Sequence, residues 1–131
     1  MIYLLDVNAL VALGFINHEF HDRVASWIQS QDSRSLASCS ITELGFVRVL
    51  AQAPAYGFTV TQARTLLLRL KRVRTLSFGF IRDEHDVSQL PNWVRTPRQI
   101  THGHLSKLAT ANGAVLATLD ESIRGSYLIP K

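Results

Sequence analysis

Short apolar runs that stop at an acid constrain this chain more than any other feature. Ile2–Leu5 is such a run, and Asp6 follows it at once. Ala114–Leu119 is a second, and Asp120 follows that one. Runs this short and apolar suit strands covered on both faces. Leu36–Cys39 and Thr75–Phe80 read as further strands, and Tyr127–Ile129 as a last edge strand. Between them lie stretches with helical spacing of apolar residues. A short helix is predicted over Asn8–Leu13 and a longer one over Glu19–Gln29, with Val24, Trp27 and Ile28 on one face. Gln31–Arg34 reads as a loop. A helix starting at Ser40 would turn Leu44, Val47, Leu50 and Ala51 inward. After the break Ala53–Gly57, Thr61 caps a helix carrying Ala63, Leu66, Leu67 and Leu70. Asp83–Leu90 reads as a helical turn with acids at its start, and Pro91–Pro97 as a loop. Thr101 caps a helix with Leu105, Leu108 and Ala109, ended by Gly113. Strands alternating with helices imply an α/β fold with a parallel sheet covered on both faces. Right-handed crossovers then bring every strand C-terminus to one edge, where sites in such folds lie.

Length and composition narrow what that sheet can serve. At 131 residues the chain is sized for a single domain, residues 1–131. With 47% hydrophobic and 18% charged residues it has the makings of a packed core, which excludes a disordered chain. The longest apolar stretch, Ala9–Ile16, is too short for a membrane span, which takes about 20 helical residues. The first residues lack a basic segment and meet Asp6 early, unlike a secretory signal. The single cysteine, Cys39, excludes an intrachain disulfide and a multi-thiolate zinc site, and fits a reducing cytoplasm. A net charge of +4 favours anionic partners, nucleic acid first.

If the topology holds, Asp6, Glu43 and Asp120 converge at the sheet edge from distant parts of the chain. Clustered carboxylates repel unless a cation joins them. Mg²⁺ (or Mn²⁺) takes such oxygen ligands and readily bridges to a phosphate. A water bound to the ion can then attack a phosphodiester. Each acid also has a plainer use. Asp6 and Asn8 are suited to cap a helix, Ser40-Ile41-Thr42-Glu43 reads as a capping box, and Asp120 favours a helix N-terminus.

The segments Leu4-Leu5-Asp6-Val7-Asn8-Ala9-Leu10, Thr42–Leu50 and Ala117-Thr118-Leu119-Asp120 together resemble the PIN domain, and most closely the VapC ribonuclease toxins of bacterial toxin–antitoxin pairs. The likeness runs from Ile2 to about Ile123. Arg98–Leu105 resembles the family's run into its fourth element, and His18, His21 and Trp27 resemble one subgroup. The resemblance implies a three-layer α/β/α fold with a parallel sheet of about five strands in the order 3-2-1-4-5. It implies RNA cleavage dependent on Mg²⁺ or Mn²⁺, with Asp6, Glu43 and Asp120 holding the metal and Asn8 and Thr118 supporting them. It also implies a homodimer and a small antitoxin partner that offers a basic group to the acidic pocket. The apolar Asn8–Ile16 segment would suit such a dimer face.

One position departs from the family pattern. The acid expected after Thr101 is His102. A neutral imidazole brings no negative charge and suits Zn, Mn or Fe better than Mg. A degenerate enzyme, a substitution that tames a toxin and a ligand for a softer metal are the three explanations. Two further functions therefore stand beside the ribonuclease. One is a non-catalytic module that binds RNA or an antitoxin. The other is a receiver-like domain, for which Lys131 is badly placed.

Other features carry two readings each. Arg64, Arg69, Lys71, Arg72 and Arg74 could track an RNA backbone or simply form a solvated helix face. His18 and His21, three apart, would share a helix face. Phe80 and Trp93 could stack on bases, with core packing as the plainer use.

Overall fold

A computed structural model describes residues 1–30 and 35–131. The expected loop over residues 31–34 lies outside the described residues. Five strands form one sheet: β1 (Ile2–Leu5), β2 (Ser35–Cys39), β3 (Phe78–Ile81), β4 (Ala114–Thr118) and β5 (Tyr127–Leu128). Their order is β3-β2-β1-β4-β5 and every pair is parallel. Five α-helices accompany them: α1 (Val7–Gly14), α2 (His21–Ser30), α3 (Ser40–Gln52), α4 (Val60–Lys71) and α5 (Ile100–Ala111).

Alternation along the strands sorts the core into two halves. Tyr3, Leu5, Leu36 and Ala117 point to one face, where residues of α1 to α4 such as Leu10, Trp27, Phe46 and Leu67 cover them. Leu4, Ala37, Cys39 and Leu116 point to the other, covered by Leu105, Leu108 and Ala109 of α5. This gives the expected three layers. β1 lies between β2 and β4, and the chain switches direction of travel across the sheet there. That switch point is where a parallel sheet opens a crevice at its C-terminal edge.

Several local expectations shift. α3 buries Thr42, Phe46 and Leu50, while Leu44 is 64% exposed. Of the expected inner face, Leu50 is buried and Val47 packs against the core, while Leu44 turns outward and Thr42 and Phe46 take the inner positions. Cys39 rather than Ser40 is the N-cap. Thr42 stands at N3 and its Oγ1 accepts the Cys39 N–H at 2.9 Å. The predicted Ser40–Glu43 capping box therefore does not form. α4 is capped by Thr59, not Thr61, with Gln62 completing a reciprocal box at 3.0 and 2.9 Å. Thr101 lies inside α5, and the cap falls instead on Thr96 and Gln99 around the turn before it. A 3₁₀ turn over Arg74–Leu76 displaces the third strand, so it starts at Phe78 and not Thr75. Within Asp83–Leu90 only Val87–Gln89 is helical, capped by Asp86. His18 lies ahead of α2, so it does not share a helix face with His21, whose Nδ1 is 2.8 Å from the Ala12 carbonyl. Ala9–Leu13 of α1 are buried in the core, which accounts for the apolar character first ascribed to a dimer face.

Candidate active site

Asp6 ends β1 and caps α1. Its Oδ1 accepts the Val7 N–H at 2.8 Å, and its Oδ2 accepts the Thr118 hydroxyl at 2.9 Å. The residue is 2% exposed. A carboxylate this deep needs such donors, since burial without them disfavours its charge. Thr118 ends β4 and is fully buried, so strand pairing fixes the partner that orients Asp6. Asn8 spans the same gap. Its Nδ2 donates to Thr118 Oγ1 at 3.2 Å and its Oδ1 accepts the Leu119 N–H at 3.2 Å. The polar ends of β1 and β4 are thus stitched together side by side, as the sequence reading of Asn8 and Thr118 expects.

Asp120 follows directly, its N–H donating to Thr118 Oγ1 at 3.1 Å. Its Oδ1 accepts the Ser122 hydroxyl at 2.7 Å and the Ser122 N–H at 2.9 Å. These bonds hold its carboxyl below the ordinary range, with His102 and Arg98 adding favourable charge. Asp6, Asn8, Asp120 and His102 line one cleft of about 400 Å³, together with His18. His102 Nε2 lies 3.6 Å from Asp6 Oδ2, so position 102 does belong to this cleft.

Glu43 is placed differently. Its Oε2 accepts both the Ser38 hydroxyl and the Lys71 ammonium, each at 2.6 Å. The expected convergence of Asp6, Glu43 and Asp120 on one ion is not present in this arrangement. Among the described residues, no three His, Cys, Asp or Glu side chains are grouped to hold a metal. Two hard carboxylates nonetheless share the cleft, and Mg²⁺ commonly takes one or two carboxylates with waters for the rest. The Asp6 and Asp120 oxygens fit that chemistry; His102 adds a softer nitrogen beside them.

The cationic run does not form one stripe. Arg64 lines a groove of about 580 Å³ between α3 and α4, with Leu44, Val47 and Leu68. Arg69 lines a different hollow beside Tyr56 and Phe58. Arg72 and Arg74 lie beyond the end of α4 and are exposed. Lys71 is bound to Glu43 and sits 5.2 Å above the Phe80 ring. Phe80 itself is 48% exposed and is not a core residue. Sequence reasoning missed Ser38 and Lys71 as partners of Glu43. Ser38 lies at the end of a strand that already carries an acid just beyond it, a weak signal; nothing local marks Lys71, which comes from another helix.

The parallel order 3-2-1-4-5 with acids at the strand ends defines a PIN-type nuclease fold. It superposes on the crystal structure of the Mycobacterium tuberculosis toxin VapC20, described as cleaving the sarcin-ricin loop, with a TM-score of 0.61 at 8% identity over 94% of this chain and 92% of that one. No protein-family model matches the sequence. Ribonuclease VapC44 of Mycobacterium tuberculosis is 36% identical over 126 residues, 92% of this chain and 87% of its own. Ribonuclease VapC38 of the same organism is 34% identical, covering 92% and 86%. The chain belongs to the VapC ribonuclease family.

Proposed function

We propose that this chain is a divalent-metal-dependent endoribonuclease of the toxin type, working in the cytoplasm. The observation that carries the reading is the pairing of Asp6 and Asp120 across the switch point, in a member of a family of ribonucleases. Asp6 and Asp120 would hold Mg²⁺ or Mn²⁺, which when bound activates water and neutralises charge on the scissile phosphate. Thr118 holds the Asp6 carboxylate in one orientation, and Asn8 in turn holds Thr118 and the Leu119 backbone beside it. The bonds from Ser122 favour the charged form of Asp120, the form that takes a cation. Glu43 stands on α3, after the neighbouring strand β2, with the Ser38 and Lys71 bonds both on its Oε2. His102 brings no carboxylate to the cleft where the family pattern has an acid. The enzyme is accordingly a weak one. RNA, a small antitoxin and a second copy of the chain are the partners proposed.

Cleavage of a mixed RNA pool tests this. Wild type should cut with Mg²⁺ or Mn²⁺ and stop with a chelator, and Asp6→Asn should lose activity by at least about 100-fold, more than an outer-sphere change costs. Asparagine retains an oxygen for the Val7 N–H, so the fold should survive. Equal cutting by both proteins would remove Asp6 from the chemistry.

A further inference from the structure

We infer that His18 reads the base beside the scissile phosphate, donating its Nε2–H to a keto oxygen, so that the cut falls next to guanine or uracil rather than adenine or cytosine. This deepens the ribonuclease reading above and rests on it. His18 lines the cleft that holds Asp6, Asp120 and His102. It stands in the turn between α1 and α2, and several contacts fix it there. Its N–H donates to the Phe15 carbonyl at 2.9 Å, and its own carbonyl accepts the His21 N–H at 3.0 Å. Its ring lies beside those of Phe20 and Tyr56, with centroids 5.9 and 6.4 Å away.

Where the ring carries its proton decides what it can do. Nδ1 accepts the Phe20 N–H at 3.0 Å, so that nitrogen is bare. A neutral imidazole with a bare Nδ1 carries its proton on Nε2. Burial pushes the imidazole below its ordinary value, which favours the neutral form. Among the described residues Nε2 has no hydrogen-bond partner. His18 therefore brings the cleft a fixed, uncharged donor. Val11 of α1 and Val49 of α3 line the same cleft, and among the described residues no lysine or arginine does. An apolar wall with one neutral donor suits a base better than a phosphate, which is held by charged donors. At about 400 Å³ the cleft is of a size that takes a nucleoside. In single-stranded RNA the base edges are open to such contacts. Guanine and uracil carry a keto oxygen where adenine and cytosine carry an amino group, so a donor favours the first two.

A random-sequence RNA pool, cut with Mn²⁺ present and sequenced at the cut sites, tests this. Wild type should favour guanine and uracil at one position flanking the cut by about three- to tenfold, what one neutral hydrogen bond supplies. His18→Asn keeps an oxygen for the Phe20 N–H, as in an Asx turn, and has no donor at the reach of Nε2. It should fold as wild type does and lose the preference. His18→Gln places an amide nitrogen near the Nε2 position and should keep part of it. A preference unchanged in His18→Asn overturns the inference. So does a rate that falls evenly over all bases, the result of a merely structural role. A second measure needs no cleavage. In metal-free protein isotope-labelled at its histidines, the His18 nitrogen signals should show a bare Nδ1 and a protonated Nε2. Inosine and uridine, which are uncharged and so not repelled by Asp6 and Asp120, should move the Nε2 signal more than adenosine and cytidine. A proton on Nδ1, or no difference among the four nucleosides, overturns the inference. The two measures fail separately. Selective Nε2 shifts in a wild type that cuts no RNA would remove the nuclease and leave the base contact. Cutting without selectivity at His18 would remove the base contact and leave the nuclease.

Discussion

Two acid–histidine pairs sit on either side of the N-terminal turn of α5, and they differ in kind. His104 Nε2 is bound to Asp83 Oδ2 at 2.5 Å, and Asp83 also accepts the His85 N–H at 3.0 Å. His102 Nε2 stands 3.6 Å from Asp6 Oδ2, beyond hydrogen-bond length. Asp83 follows β3 as Asp6 follows β1, so each strand end supplies an acid and one helix supplies both imidazoles. The Asp83 pair is closed: burial pushes its carboxyl up, but the bonds from His104 and His85 outweigh that and hold it low. It fastens α5 to the far side of the sheet. The Asp6 pair is open, and Asp6 spends its bonds on Val7 and Thr118 instead. A strand-end acid is thus bonded to an imidazole of α5 or left lining a cleft according to what already satisfies it.

His102→Asp would sharpen the contrast most. It makes the open pair wholly acidic and should raise Mg²⁺ affinity and RNA cleavage by about 10- to 100-fold. Calorimetry and the RNA-pool assay read both. No change in either would place position 102 outside the chemistry.

Gly103 lies between the two histidines. A Cβ there would fall 2.2 Å from Val94 Cγ2, so α5 can pack against that loop only without a side chain. Gly103→Ala should cost about 1–3 kcal/mol by overpacking. Urea unfolding measures it, and because the helix turn carries both pairs, cleavage should fall too.

Asp83→Asn attacks the brace alone and should cost about 1.5–3 kcal/mol, as expected for a hydrogen bond to a charged group. The sign of its pH dependence follows from the lowered carboxyl. Its contribution is complete above the ordinary aspartate value, about 4. It is lost as pH falls through the lower native value. The stability gap between wild type and Asp83→Asn should therefore close on acidification below about pH 4. Cleavage at neutral pH should be unaffected. A variant that folds normally yet stops cutting would erase the distinction between brace and centre.

How much of this was readable beforehand depended on whether a signal was local. The strands and the acids Asp6 and Asp120 at their ends follow from apolar runs and their terminal residues, whereas the strand order and the roles of Asn8 and Thr118 come from the family likeness. His102 was recognised as a site position from its neighbour Thr101, although Thr101 is no cap. Caps were misjudged by one to five residues because Ser40, Thr61 and Thr101 compete with Cys39, Thr59 and Thr96 for the same task. The position of Glu43 was out of reach, since Lys71 lies 28 residues away in sequence and on another helix. The same holds for Asp83 and His104, 21 residues apart. Side-chain pairing across elements is set by packing, which periodicity does not encode.

The central claim is that the open pair, not the closed one, receives the cation. Mn²⁺ added in small amounts to isotope-labelled protein broadens the amide signals nearest the ion. The first losses should fall at Val7, Asn8, Leu119, Asp120 and Ser122, and Asp6→Asn should suppress them. First losses centred on Asp83, His85 and His104, with the Asp6 cleft untouched, would contradict it.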